Sequence, residues 1–312
     1  MKIGWEGAGM DSENLGNRQA RVATASVALG LFDGLHPGHQ AVIGAAVAKA
    51  QGYGLTPCVF TFTQKGGGPT AKEQGTLLSD DMFRQTLADW GVKQVIQPNF
   101  SAFCELSPEE FVQEKLLGEM GAGAVFCGPN FRFGKNAAGD VALLTELCQG
   151  RAAVHVVPMV EWDGGPISAT RIKSLLKEGE CEQAYALWGR RFAIDFTVTR
   201  GRALGRTIGF PTINQLFPAD YLQPRFGVYA TAVTVAGAGV RYAGVTNVGV
   251  KPTVGSDNVL AETFISGFSG DLYGQKVLVE FVRFLRPEQR FDSITELREQ
   301  IARDCKKALE TK

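Results

Sequence analysis

The spacing of apolar residues changes once along this 312-residue chain, near Arg191, and no single architecture satisfies both patterns. Before the change, strand-like and helix-like stretches alternate. ASVALGLF (25–32) reads as a buried strand, and AVIGAAVAKA (41–50) follows with apolar residues at 42, 43, 46, 47 and 50, the spacing of one helical face. CVFTF (58–62), VKQVIQ (92–97), AVFCG (124–128) and AVHVVPMV (153–160) supply further strands. Helices are marked by Ser79 with Asp80 and Asp81, by a Ser107-Pro108-Glu110 capping box, and by SATRIKSLLKEG (168–179). Strands joined by helical crossovers run parallel, so this half predicts an open parallel α/β sheet.

After Arg191 the period is two. FAIDFTVT (192–199), GVYATAVTV (227–235), VRYAGVTNVG (240–249), AETFISGF (261–268) and KVLVEFVRFL (276–285) are strands separated by Gly and Pro. One helix closes the chain, opened by Ser293 with Glu296 and carrying Leu297, Ile301 and Ala308. Strands without crossover helices predict a closed antiparallel barrel or sandwich. The boundary follows ECEQAYALW (180–188), giving domains 1–188 and 189–312.

The length itself favours two cores. Lys plus Arg total 32 and Asp plus Glu total 32, so no overall positive field exists to grip nucleic acid or an anionic membrane. Any phosphate site must be local. The apolar runs are too short to span a bilayer and MKIGWEGAGMDSEN lacks the apolar centre of a secretory leader, so a cytoplasmic protein is expected, a monomer or weak homo-oligomer with no membrane and no nucleic-acid partner. Six cysteines lie far apart with no CxxC pair, which argues against zinc or a disulfide framework and for small buried apolar residues. KGGGPTAKEQG (65–75) reads as a flexible loop.

GLFDGLHPGHQ (30–40) holds two of the chain's three histidines. A metal site would want more ligands than Asp33 nearby, and a nucleophilic dyad would want a Ser or Cys beside one ring. Geometry offers a third reading. His36 precedes a proline and is pushed to extended backbone, Pro37 suits the first helical turn, and Gly38 removes a side chain that would obstruct a ligand. His36 and His39 then flank a helix N-terminus after the first strand, where free N–H groups and imidazole donors suit an anion. The competing reading is a polar turn whose histidines cap a helix.

ISATR (167–171) opens another helix, where Ser168, Thr170 and Arg171 converge hydroxyls and a guanidinium; alternatively Ser168 is a plain N-cap and Arg171 a solvated charge. In TRGRALGRTIGFPTINQ (199–215), Gly201, Gly205 and Gly209 recur every four residues with Arg202 and Arg206 between them, which suits a loop whose amides wrap a polyphosphate. Thr212 and Asn214, two apart in a strand, point the same way and could hold Mg²⁺ bridging phosphates, or could simply face solvent.

FDGLHPGH resembles the HxGH signature of the nucleotidyltransferase superfamily, and CGPNFRFGKNAAGD (127–140) with ISATR resembles one branch of it. GRALGRTIGFPTIN, GVTNVGVKPTVG (244–255), AETFISGFSGDLYG (261–274) and LRPEQRFDSITELREQIARDC look like riboflavin kinase. Together, nearly the whole chain is similar to the bacterial bifunctional riboflavin kinase and FAD synthetase family. The resemblance implies a Rossmann-like open parallel α/β nucleotidyltransferase sheet, then an antiparallel Greek-key β-barrel with a terminal helix. It implies MgATP-dependent conversion of riboflavin to FMN and of FMN to FAD. It gives His36, His39, Asn130, Ser168, Thr170 and Arg171 to ATP in the first domain. In the second it makes Glu262 the base, Thr212 and Asn214 the magnesium and phosphate contacts, and residues 199–209 the ATP loop, with Gly201, Gly205, Arg206 and Gly209. The chain departs from the family where FTFTQKGGGP (60–69) lacks a usual proline and histidine, at Asn130 where many relatives have Asp, and at Ala137 where many have Arg. A nucleotidyltransferase for another phosphate acceptor, with an inactive flavin-binding barrel, is the alternative expectation.

Overall fold

A computed structural model describes residues 23–62, 75–201, 205, 208–235, 239–253 and 256–310. Residues 65–74 of the loop expected to be flexible, and Arg202 and Arg206, lie outside them. The chain folds as two compact units, 1–73 with 80–167, and 74–79 with 168–312.

The first unit is a five-stranded sheet of β1 (Ala25–Leu29), β2 (Thr56–Phe60), β3 (Gln94–Ile96), β4 (Ala122–Cys127) and β5 (Ala153–Val156). Its order is β3-β2-β1-β4-β5 and every neighbour is parallel, as the alternating pattern requires. The helices are α1 (Pro37–Tyr53), α2 (Asp80–Asp89), α3 (Pro108–Glu110) and α4 (Val141–Leu147), and a small hairpin of β6 (Glu161–Trp162) and β7 (Gly165–Pro166) follows β5. Strand order reverses at β1, so the carboxyl ends of β1 and β4 border the crevice where such sheets take ligands.

Local chemistry sets the limits of these elements. α1 starts with Pro37 at its first position and stops at Gly54, whose left-handed backbone lets its N–H reach Ala50 O. The strand expected over AVHVVPMV stops at Val156, because after Val157 N–H bonds Cys127 O the chain meets Pro158, which has no donor. The capping box opens α3 as expected, with Glu110 N–H on Ser107 Oγ at 3.1 Å and Ser107 N–H on Glu110 Oε2 at 2.7 Å. The helix then widens to π geometry over Phe111–Glu119. Gly118 lies against Gln113 O, where an added Cβ would be 2.9 Å away, and this small residue lets the turn sit so close.

The second unit carries α5 (Ala169–Glu178), α6 (Cys181–Trp188), then β8 (Ala193–Ile194), β9 (Val198–Thr199), β10 (Thr212–Leu216), β11 (Gly227–Val235), β12 (Arg241–Thr253), β13 (Ser256–Ile265), β14 (Val277–Arg286) and α7 (Ile294–Glu310). The sheet order is β8-β14-β11-β12-β13-β10-β9. The single strand expected over FAIDFTVT is divided, and its division joins the two ends of the sheet. Ile194 pairs with Val279 and Thr197 with Lys276 on one side, while Val198 and Thr199 pair with Gln215 and Asn214 on the other. Gln215, fully buried, spans that seam by donating to Phe196 O at 2.7 Å and Val277 O at 2.8 Å. β11 to β13 form a meander and β14 returns beside β11, the Greek-key arrangement. α7 covers the outer face of β11 and β12, with Ala308 and Cys305 against Val228, Ala230 and Val245.

Four cysteines, 58, 127, 148 and 181, are buried as expected, but Cys104 and Cys305 are only half-buried. Burial pushes the Cys58 thiol up to about 12 and the Cys127 and Cys148 thiols to about 11, so these are inert packing groups. Among the described residues no helix is long and apolar enough to cross a membrane.

Candidate active sites

Beyond β1 the chain makes a strained turn. Phe32 and Leu35 take positive φ (52° and 45°) and Gly34 sits at 74°, before His36 returns to extended backbone at φ −74°, ψ 170°. Thr61 fixes this turn by donating from Oγ1 to Leu31 O at 2.7 Å. His36 is the N-cap residue of α1 and makes no side-chain cap bond, while His39 lies one turn in. The two imidazoles stack with centroids 3.6 Å apart, and Phe32 meets His39 edge-on at 5.3 Å.

Gly38 makes room for more than a ligand. A Cβ there would lie 3.1 Å from Cε1 and 3.2 Å from Nδ1 of His36, so its missing side chain makes room for the His36 ring. Burial pushes the His36 pKa down to about 4, and burial followed by the neighbouring His36 charge lowers that of His39. Both rings are therefore neutral at ordinary pH. Nδ1 of each is buried without a hydrogen-bond partner among the described residues. Carrying the proton on Nε2 leaves those buried nitrogens as bare acceptors and places the donor at the other edge of each ring.

Beyond β4, Phe131 N–H bonds Gly128 O at 3.2 Å, forming a turn that exposes Asn130, whose Nδ2 lies 3.6 Å from Met159 Sδ. Asn130 and the histidine pair thus follow β4 and β1, the two strands beside the switch point, Asn130 on a turn and the histidines at the start of α1. Ser168, Thr170 and Arg171 open α5 in the second unit. Ser168 Oγ accepts from Arg171 N–H at 3.2 Å, the N-cap geometry, Thr170 is exposed and Arg171 half-buried.

On the barrel, Asn214 pairs directly with Glu262 across β10 and β13, and Thr212 lies two residues along on the same face. Asn214 is 5% exposed, and its Oδ1 is buried with no hydrogen-bond partner among the described residues. Gly201 of the glycine-rich loop packs against it. A Cβ on Gly201 would meet Asn214 Nδ2 at 2.5 Å, and one on Gly205 would collide with Phe210 O. Phe210 N–H bonds Gly205 O at 2.8 Å, and Gly209 turns with φ 84°. Thr199 Oγ1 donates to Asn214 O at 3.2 Å, tying the loop's origin to β10.

Among the described residues no three His, Cys, Asp or Glu side chains cluster as a metal site. The oxygens of Thr212 and Asn214 instead suit an ion that takes few protein ligands and completes its shell with phosphates and water, as Mg²⁺ does. The orphaned Asn214 Oδ1 is the observation that such an ion fits. Phe32, which packs against His39, carried no sequence signal, since nothing in a phenylalanine announces a left-handed backbone.

A riboflavin kinase family model matches residues 188–312 and an FAD synthetase model matches residues 18–171. Bifunctional riboflavin kinase/FMN adenylyltransferases are similar along most of their length. That of Bacillus subtilis is 34% identical, covering 92% of both chains, and that of Escherichia coli K12 is 32% identical, covering 88% of this chain and 89% of its own. A crystal structure titled as a macrolide-efflux protein from Streptococcus pneumoniae matches with TM-score 0.79 and 29% identity, covering 92% of this chain and 94% of that one.

Proposed function

This chain belongs to the bifunctional riboflavin kinase/FMN adenylyltransferase family, and from that premise we propose how its residues divide the two reactions. The enzyme phosphorylates riboflavin to FMN with ATP and adenylylates FMN to FAD with release of pyrophosphate. The match to a family model in each half favours this over a nucleotidyltransferase with an idle barrel. We place the boundary between the activities near residue 188, although α5 and α6 pack with the second unit.

Adenylylation needs no base, because the attacking FMN phosphate is already an anion. It needs the triphosphate held in line and its charge met. His36 and His39, neutral and stacked, donate from Nε2 to the phosphates, and Asn130 is assigned to the same ATP. For Ser168, Thr170 and Arg171, on the second unit, the family resemblance supports a part in binding ATP. Phosphorylation does need a base. The riboflavin 5′-hydroxyl gives its proton to Glu262 as its oxygen bonds the γ-phosphorus and the bond to ADP breaks. Gly201, Gly205, Arg206 and Gly209 belong to the loop that wraps the phosphates. Thr212 and Asn214 would hold Mg²⁺, which would supply neutralisation of the triphosphate charge. Dependence on ATP supports a cytoplasmic enzyme, the balanced charge speaks against a nucleic-acid partner, and we propose a monomer or weak homo-oligomer.

The observation that carries the assignment of the kinase residues is the buried Asn214 Oδ1, without a partner among the described residues, on the residue that pairs with Glu262. Kinase rates of Asn214→Ala measured over a range of Mg²⁺ concentrations test it. A raised Mg²⁺ requirement is expected, and an unchanged one would remove the metal role.

A further inference from the structure

Glu288 lies two residues beyond β14, outside the segments given a part in the chemistry so far. Its Oε1 accepts a hydrogen bond from Asn247 Nδ2 at 3.1 Å. Its carboxylate also rests on the β12 backbone at Gly249, where an added Cβ would collide with it. A residue without a side chain at 249 is thus what lets Glu288 reach Asn247.

Asn247 pairs directly with Glu262 across β12 and β13, and Glu262 pairs with Asn214 on its other side. Directly opposed residues share a face, so Asn214, Glu262 and Asn247 form one row. A carboxylate can only accept, so the atom Glu288 holds is the carboxamide nitrogen. Oδ1, on the other branch of the Asn247 carboxamide, is left for a different donor. The row then offers the Asn214 Oδ1, the Glu262 carboxylate and the Asn247 Oδ1, all acceptors, and such a row suits a ligand rich in hydroxyl donors.

We propose that Glu288 is a positioning residue of the kinase step. By holding Nδ2 of Asn247 it presents Oδ1 to a hydroxyl of the ribityl chain of riboflavin, so that the terminal hydroxyl of that chain meets Glu262. The proposal rests on the assignment of Glu262 as the base.

Steady-state kinetics of the full-length enzyme test it, with FMN adenylylation on the same polypeptide reporting that each variant is folded. Glu288→Ala should raise KM for riboflavin about tenfold or more, the scale of a lost hydrogen bond to a charged group. KM for ATP and the adenylylation rate should be unchanged. Glu288→Gln, which keeps an acceptor oxygen for Asn247, should recover most of the loss. The double variant with Asn247→Ala should be no worse than Asn247→Ala alone, because both act through one carboxamide. Multiplicative losses, an unchanged KM for riboflavin, or parallel loss of adenylylation would each overturn the proposal. Glu262→Gln separates this from the reading beneath it. If that variant retains kinase activity, the base assignment fails; if it loses activity while Glu288→Ala keeps its KM, only the role of Glu288 fails.

Discussion

His36 and His39 stack with ring centroids 3.6 Å apart at the start of α1, a separation that two imidazolium ions could hold only against strong repulsion. The folded chain resists protonating them, whereas the unfolded chain does not. Their contribution to stability is therefore complete above pH 6.5 and is lost as pH falls towards about 4. The depression of His36 alone corresponds to roughly 3 kcal/mol. Urea unfolding of the native chain and of His36→Asn between pH 7 and 4 should show a flatter pH dependence in the variant; parallel curves would contradict burial as the cause. FAD formation should show no inflection near pH 6.5 from either ring.

Gly38→Ala should displace the stack. The added Cβ, 3.1 Å from the His36 ring, obliges that ring to shift by a few tenths of an ångström. FAD synthesis should fall at least about tenfold, the cost of misplacing one preorganised donor. FMN synthesis by the same sample should persist, and a variant with normal FAD synthesis would show that the stack is dispensable.

Asn214→Ala should separate function from stability. Removing an orphaned buried oxygen relieves an unsatisfied group, so the melting temperature should hold or rise slightly. FMN formation should nevertheless collapse. Gly201→Ala should resemble it kinetically, because its Cβ would strike the Asn214 carboxamide at 2.5 Å.

Asp304→Ala should instead unfold the barrel. Asp304 is 1% exposed, pairs with Arg286 at 2.9 Å and accepts from Gln300 at 2.9 Å, anchoring α7 to β14. Losing one partner of such a pair leaves an uncompensated charge and should cost about 3 kcal/mol or more in chemical denaturation.

The parallel sheet was legible in the sequence because apolar runs such as ASVALGLF and CVFTF alternate with helix signals. Pro37 and the Ser107 capping box marked helix starts correctly because their effects are local. What the sequence hid is long-range. The split of residues 193–199 into two ladders depends on β10 and β14, far away in the chain, and alternation alone cannot show which neighbours a strand will have. The widening of the helix at 111–119 turns on a close approach at Gly118, and one interior glycine has many readings. At the sites, residue types and spacing singled out His36, His39 and Asn214, and the family resemblance pointed to Glu262. The stacking of the first two, the crowding of His36 by position 38 and the Asn247–Glu288 bond required coordinates.

The central claim, that each half of the polypeptide runs one reaction with its own triphosphate site, is tested most directly by measuring FMN and FAD formation side by side in His39→Ala and Glu262→Ala by flavin chromatography. His39→Ala should lose FAD formation by on the order of 3 kcal/mol in the transition state and keep FMN formation. Glu262→Ala should lose FMN formation roughly 10²- to 10⁴-fold and keep FAD formation from supplied FMN. Equal loss of both activities in either variant would contradict the claim.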